Sequence, residues 1–284
     1  MKFLVLGANG MAGHVISLYL NESGHDSIGF VRRPTNLFDY IIGDACNLSL
    51  LDKVIFQNEF DFVVNAIGIL NQNAEDNKDE AVFINSYLPH YLAKMTERED
   101  VRVIHLSTDC VFCGNTGPYS EASMPDGRTF YDRTKALGEL NDNKNITLRN
   151  SIVGPDMKAD GIGLLNWFLQ QDGIVKGYTG AIWTGLTTLE LAKAIEHLAS
   201  EGNSGLVNMV PDDSISKYDL LHLFNKHINK NRLTIEASDE LQLDKALTRT
   251  NRKSSFVPLD YDAQIEDLSR WMTEHKQLYP HYSL

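Results

Sequence analysis

The sequence predicts an α/β fold, a doubly wound parallel sheet carrying a smaller mixed α/β lobe. Three observations carry this. Short runs of Val, Ile, Leu and Phe alternate with longer segments of helical spacing through the first half of the chain. Those short runs have no polar face, as expected of strands covered by helices on both sides. After Gly154-Pro155 the alternation loosens, which marks a second, interrupted lobe.

The expected strands of the first half are Lys2–Leu6, Ser27–Val31, Tyr40–Ile42, Phe60–Asn65 and Val101–Leu106. Between several of them lie expected helices at Met11–Asn21, Leu48–Asn58 and Glu75–Arg98. A helix around Phe130–Asn141 leads to a strand at Ile146–Asn150. Gly161–Tyr178 holds a helix through Leu164, Leu165, Trp167 and Phe168, then a short strand near Ile174–Lys176. Thr187–Ala199 reads as a helix, and Leu206–Val210 as a strand able to rejoin the main sheet. A helix from Ser216 to Asn225, a polar stretch and an amphipathic helix near Asp262–His275 complete the chain. The division expected is a sheet domain of residues 1–153 plus about 182–211, and a lobe of 154–181 and 212–284.

The 284 residues suffice for a core without disulfide staples, and 43% hydrophobic with 23% charged residues is ordinary for a globular chain. A net charge of -12 repels phosphate backbones and argues against nucleic acid as a partner. Three cysteines cannot build a disulfide framework and suit a reducing compartment. The N-terminal apolar run is short for a signal peptide, and no stretch reaches the ~20 apolar residues of a membrane span, so a cytoplasmic protein with no membrane partner is expected.

Gly7-Ala8-Asn9-Gly10-Met11-Ala12-Gly13 follows the first strand and opens the first helix. Glycine there permits a tight turn, backbone approach to a pyrophosphate and close helix–strand packing, while the helix N-terminus offers free N–H groups to the anion. Gly7, Asn9, Gly10, Met11 and Gly13 are therefore candidate dinucleotide ligands in a Rossmann-type fold. At the end of the second strand an NAD site usually places Asp or Glu. This chain has Arg32-Arg33-Pro34, which suits the 2′-phosphate of NADP(H) through forked, charge-assisted hydrogen bonds. Asp44, after the third strand, is placed to meet the adenine or to form a turn.

Tyr131 and Lys135 stand four residues apart, on one face of the expected helix. A free phenol titrates near 10, and a neighbouring ammonium favours its ionised form, so Tyr131 could exchange a proton with a carbonyl oxygen. Together, Gly7/Gly10/Gly13, Asn65-Ala66-Ile67-Gly68, Ser107-Thr108-Asp109-Cys110-Val111-Phe112, Gly117-Pro118-Tyr119-Ser120-Glu121, Tyr131…Lys135 and Leu148-Arg149-Asn150-Ser151-Ile152-Val153-Gly154 resemble an extended short-chain dehydrogenase/reductase of the dTDP-4-dehydrorhamnose reductase group. The likeness is strong to about residue 155 and architectural beyond it. Cys110 stands where family members often carry an aromatic residue.

The resemblance implies that Thr108, ahead of Ser107, hydrogen-bonds a substrate carbonyl. It implies that Tyr131 is the acid/base and that Lys135 lowers its pKa and holds the nicotinamide ribose. Asn85 would support a proton-relay water, Asp109 would contact substrate, and Ala66, Ile67 and Gly68 would line the cofactor cleft. The partners implied are NADP(H), a nucleotide-sugar and, for assembly, a homodimer. NADPH-dependent reduction of a nucleotide-linked 4-keto-6-deoxy sugar is the activity expected. Its rivals are an NAD-dependent nucleotide-sugar epimerase or dehydratase and a non-catalytic NADP-binding regulatory subunit.

Other signals carry less. Cys110-Val111-Phe112-Cys113 has redox or zinc spacing, yet only Cys46 remains and no close histidine pair accompanies it, so no metal site is expected. His105, inside a strand, reads as a core residue. Trp167, Phe168, Tyr178 and Trp183 read as packing residues of the lobe junction, one or two of them able to face a sugar or base. Arg249, Arg252 and Lys253 form a basic group in an acidic chain, and Arg252 and Lys253 are candidate clamps for a substrate diphosphate.

Overall fold

Side chains alternate across a strand, and β1 (Lys2–Leu6) uses both faces: Phe3 and Val5 enter one apolar cluster, Leu4 and Leu6 another. The computed structural model, which describes residues 1–283, builds a sheet covered on both sides from this pattern. Along the chain follow α1 (Met11–Glu22), β2 (Asp26–Val31), β3 (Tyr40–Ile42), α2 (Leu48–Gln57), β4 (Phe62–Asn65), α3 (Asn71–Asp76), α4 (Lys78–Ala81), α5 (Leu88–Met95), β5 (Arg102–Leu106), α6 (Phe130–Leu137), β6 (Ile146–Arg149), β7 (Ser151–Val153) and α7 (Leu164–Leu169). The remainder is β8 (Ile174–Trp183), β9 (Gly185–Thr187), α8 (Thr188–Glu201), β10 (Gly205–Asn208), β11 (Ile215–Ser216), α9 (Lys217–His227), β12 (Thr234–Asp244) and α10 (Tyr261–Glu274).

The main sheet has the order β10-β6-β5-β4-β1-β2-β3, with every pairing parallel. Ile16, Leu20, Ala192 and Ile195 of α1 and α8 cover one face; Leu51, Val54, Leu88 and Leu92 of α2 and α5 cover the other. The strand at 205–208 rejoins this sheet beside β6. The second lobe centres on β11-β8-β12, with α7, α9 and α10 packed through Phe168, Phe224, Leu268 and Trp271. A third, two-stranded sheet joins β7 and β9.

Two departures from the sequence expectation have physical causes. The helix expected at Glu75–Arg98 is broken into α3, α4, a π-helical segment Val82–Tyr87 and α5. Pro89 has no N–H, so the Asn85 carbonyl lacks its α-helical donor four residues on, and the turn widens there. The polar stretch before the last helix is an eleven-residue strand, β12, which pairs in parallel with β8 from Thr234 to Asp244 around one irregularity. As an edge strand largely open to solvent it carries little of the apolar alternation that betrays a half-buried strand.

Candidate active site

At the carboxyl ends of the strands the first turn shapes a cradle. Gly7 adopts φ 79°, and its carbonyl accepts from the Gly10 amide at 2.8 Å. A Cβ on Gly13 would lie 2.2 Å from the Gly7 carbonyl oxygen, so only glycine lets α1 approach so closely. The cap residue Gly10 contributes no side chain, which leaves the first helical N–H groups free for an anion. Beside this turn lies a cavity of about 570 Å³. Of the expected cofactor ligands, Gly7, Asn9, Gly10, Arg32, Arg33, Asp44, Ala66, Ile67 and Gly68 line it.

The structure supplies reasons for several of these placements. Asn9 Nδ2 donates to the Arg33 carbonyl at 2.9 Å, fastening the arginine loop to the glycine turn, and its buried Oδ1 has no partner. Arg32 and Arg33 are exposed, and neither forms an ion pair among the described residues. Asp44 lines the cavity while its carboxylate accepts from the Cys46 amide at 2.9 Å, so it is both wall and turn. The free helix end, the orphan Asn9 oxygen and two unpaired guanidiniums fit a dinucleotide bearing an extra phosphate. Lys158, from the loop after β7, and Glu80, from α4, also line the cavity. Sequence reading missed them because nothing local relates either residue to the first turn.

Other candidates sit elsewhere. Met11 and Gly13 are absent from the lining; Gly13 is buried behind it, and Met11 packs toward Gly163. Asn85 is buried within the π-helical segment, where Oδ1 accepts from the Ile69 amide and Nδ2 donates to the Ile69 carbonyl and Thr134 Oγ1. With both amide hydrogens engaged, it ties the loop after β4 to α6 and does not itself line the cavity. Arg252 and Lys253 are exposed on a segment running along β10, and Arg252 pairs with Asp212 at 2.5 Å. Both therefore sit at the β10 edge of the sheet, away from the β1–β3 half that forms the dinucleotide cavity, with the Arg252 guanidinium engaged by Asp212.

The proton-transfer group gathers at the ends of β5 and α6. Thr129 caps α6, accepting from Asp132 N at 3.1 Å, while Asp132 Oδ2 accepts from Thr129 N at 3.0 Å, a reciprocal box that fixes the turn bearing Tyr131. Glu75 accepts from the Phe130 amide at 2.6 Å and anchors the same turn from α3. Tyr131 is 8% exposed and packs with Ile69, a residue of the cavity wall. The Thr108 hydroxyl acts on the phenol, opposing part of its upward shift. It also donates to Asp109 Oδ1 at 3.2 Å and accepts from the Cys110 amide at 3.1 Å. Lys135 Nζ donates to the Leu106 carbonyl at 2.6 Å.

The electrostatics differ from the sequence expectation. Burial holds the Tyr131 phenol well above its ordinary value, the neighbouring Cys110 thiol adds to this, and the Thr108 hydroxyl offsets only part of it. Burial also brings the Lys135 ammonium down to about 8, against a smaller opposing pull from Glu139. Desolvation therefore sets the phenol, which stays protonated, while Lys135 Nζ is engaged by the Leu106 carbonyl. Ser107, the less favoured carbonyl ligand, is committed: its hydroxyl donates to Glu139 Oε1 at 2.6 Å. Glu139 in turn accepts a forked pair from the fully buried Arg149, at 2.8 and 2.6 Å.

Asp109 is buried and its carboxyl is pushed upward by that burial, while Lys217 and Lys245 of the second lobe pull it down. His105 is buried, neutral and bonded to Asn65, with its other ring nitrogen unpartnered. Cys110 and Cys113 are free thiols, and Cys113 Sγ donates to Asp126. Among the described residues, no group of three or more His, Cys, Asp or Glu is placed to hold a metal. No described helix is long and apolar enough to cross a membrane.

Comparison with known proteins places this geometry. Residues 1–153 match the family model described as the RmlD substrate binding domain. The chain belongs to the RmlD substrate binding domain family. It is an extended short-chain dehydrogenase/reductase of the dTDP-4-dehydrorhamnose reductase-like group, as the resemblance implied. Among curated relatives of this family member, the probable low-salt glycan biosynthesis reductase Agl14 of Haloferax volcanii is 26% identical over 265 residues, 89% of this chain and 88% of that protein. Spore coat polysaccharide biosynthesis protein SpsK of Bacillus subtilis is 30% identical over 140 residues, covering 49% of this chain and 47% of that one. Among solved structures, a hypothetical dTDP-4-dehydrorhamnose reductase from Sulfolobus tokodaii superposes with a TM-score of 0.76 at 22% identity, covering 92% of this chain and 98% of that chain. The Bacillus anthracis dTDP-4-dehydrorhamnose reductase in complex with NADP gives 0.78 at 18% identity, covering 94% and 98%. At these identities the structural likeness speaks for the fold.

Proposed function

We propose that this RmlD-family chain reduces the keto group of a nucleotide-linked 4-keto-6-deoxy sugar with NADPH, in the cytoplasm. The observation that carries the reading is that Thr108 and Tyr131 are both buried, with Tyr131 packed on Ile69 of the wall of the dinucleotide cavity. NADPH, when bound, supplies the hydride. Gly7 and Gly10 with the start of α1 would hold its diphosphate, Arg32 and Arg33 its 2′-phosphate, and Ala66, Ile67 and Gly68 the wall along the cleft. Lys135, of α6 with its Nζ at the end of β5, would hold the nicotinamide ribose.

Thr108 orients the carbonyl oxygen of the sugar, and Tyr131 gives that oxygen its proton as the carbonyl carbon gains hydrogen. Reduction consumes a proton at the oxygen, and the phenol enters the reaction protonated. Relatives named as reductases of glycan and deoxysugar synthesis support the substrate class. The absence of Asp or Glu after β2 favours the phosphorylated cofactor over the NAD of an epimerase. A regulatory subunit would have no use for the buried Thr108–Tyr131 pair.

The test is Tyr131→Phe assayed over a panel of nucleotide-linked keto sugars. The variant should bind NADPH as the parent does, while kcat falls by roughly 10²–10⁴, the usual worth of a positioned general acid. Turnover near the parent's would show that another group delivers the proton and remove Tyr131 from the reaction.

A further inference from the structure

Lys158 is a third cation on the wall of the dinucleotide cavity, with Arg32 and Arg33, and it comes from a distant part of the chain, the loop between β7 and α7. Its side chain is exposed, and its Nζ forms no hydrogen bond or ion pair among the described residues. A lysine on a surface loop ordinarily samples many positions. This loop is held at several points. Asn166, buried on α7, donates through Nδ2 to the carbonyls of Ala159 at 3.1 Å and Gly161 at 2.6 Å. Gln170 Nε2 donates to the Ala159 carbonyl at 2.6 Å.

The other end of the loop is tied as well. The Asp156 amide donates to Tyr282 Oη at 3.0 Å, and the Asp156 carboxylate accepts from the Gly163 amide at 3.3 Å. The Gly161 amide donates to the Lys158 carbonyl at 3.2 Å, closing a turn whose first residue is the lysine. The backbone at 158 is therefore fixed by α7 on one side and the C-terminal segment on the other, and an unpaired ammonium is presented to the cavity.

Charge and position say what it meets. Three cations and two carboxylates, Asp44 and Glu80, line the cavity, although acidic residues outnumber basic ones 38 to 26 in the chain. Asp44 is already engaged by the Cys46 amide, so the wall is a positive inlet in an acidic molecule. The end of the Lys158 loop lies against the first residue of α1: a Cβ on Gly163 would stand 3.0 Å from Met11 Sδ. That helix end is the one with free N–H groups. Arg32 and Arg33 follow β2 instead, where Asn9 fastens their loop.

We propose that Lys158 is a ligand of the cofactor diphosphate, opposite the start of α1, and that it serves NADPH and NADH alike, leaving the choice between them to Arg32 and Arg33. The inference rests on the reading of the cavity as a nicotinamide dinucleotide site. In such a cofactor the diphosphate hangs from C5′ of the adenosine ribose and the extra phosphate from C2′, so two sets of cations can act on them separately. A point charge on a flexible stem suits a diphosphate, whose charge is spread over several oxygens; the forked guanidinium suits a single phosphate.

Fluorescence titration of the full chain with NADPH and NADH, and calorimetric titration with ADP-ribose and adenosine, test this. Lys158→Met should weaken NADPH, NADH and ADP-ribose by the same factor, about tenfold, and leave adenosine unchanged. Lys158→Arg should keep most of the affinity, and the loss in Lys158→Met should shrink in high salt. Without cofactor its Tm should equal the parent's, since the ammonium has no partner to lose. A variant that binds all four probes as the parent does overturns the proposal, and so does a loss confined to NADPH, which would assign Lys158 to the 2′-phosphate. A lowered Tm without cofactor would make the lysine structural and also overturns it. In each of these cases the parent's own affinity for NADPH keeps the reductase reading, whereas a parent that binds neither dinucleotide sinks both.

Discussion

At the scale of single residues, hydrogen bonds already made decide which polar side chains of the site are free. Ser107 is consumed by Glu139 and Asn85 by Ile69 and Thr134, which leaves Thr108 as the hydroxyl beside Tyr131. Arg32 and Arg33 keep their donors free at the mouth of the cavity. Charge-assisted hydrogen bonds of this kind contribute roughly 1.5–3 kcal/mol each. The Arg32→Ala, Arg33→Ala double variant should therefore bind NADPH on the order of 100-fold more weakly and NADH nearly unchanged. Fluorescence titration with both cofactors would decide it, and equal losses would dismiss the arginines as the source of preference. The place of the arginines at the cavity was legible in the sequence because it follows from their position after the second strand; that of Lys158 was not, because its loop reaches the cavity only through the fold.

At the scale of elements, two close approaches fix the site, and both depend on an atom that is missing. Gly13 brings α1 against the Gly7 carbonyl; Gly138 brings the end of α6 against the carbonyl of Asn85, where a Cβ would sit 1.9 Å away. That carbonyl is the one released by Pro89, so the π-helical turn and the end of the tyrosine helix interlock. Gly138→Ala should displace α6, lowering stability by about 1–3 kcal/mol as overpacking does, and lowering kcat more than it weakens NADPH binding. Urea denaturation and steady-state kinetics would show both; a variant of parental stability would mean that α6 tolerates the shift. The periodicity of residues 75–98 announced one long helix, since Pro89 alone does not reveal which carbonyl it frees or what will fill the gap.

At the scale of the whole molecule, the lobes are joined where α1 meets the C-terminal segment. His14, fully buried, bonds through Nδ1 to the Gly10 carbonyl and through Nε2 to Tyr279 of the second lobe's core. Burial lowers its pKa from 6.5 to about 4, against a smaller opposing pull from the Gly10 carbonyl. His105 is likewise depressed, by burial and by the charge of Lys135. A histidine whose folded pKa lies below its unfolded value lets the unfolded chain bind the extra proton first. The stability involved is complete above pH 6.5 and is lost as pH falls toward 4, for His14 on the order of 3 kcal/mol. Urea midpoints should decline over that window, and His14→Gln should flatten the decline; an unchanged slope would mean that His14 does not titrate on unfolding.

Local chemistry let the sequence by itself determine the parallel sheet, the glycine cradle, the arginine pair and the tyrosine–lysine helix. Strand alternation, turn stereochemistry and four-residue helical spacing each act within about a dozen residues of chain. Tertiary structure alone decided which donors are already spent and which are free. It committed Ser107 to a glutamate 32 residues on, paired Arg252 on a sheet edge, and brought Lys217 and Lys245 over Asp109 from another lobe. It also set the protonation of Tyr131, because desolvation depends on everything packed around the phenol and not on the lysine four residues away.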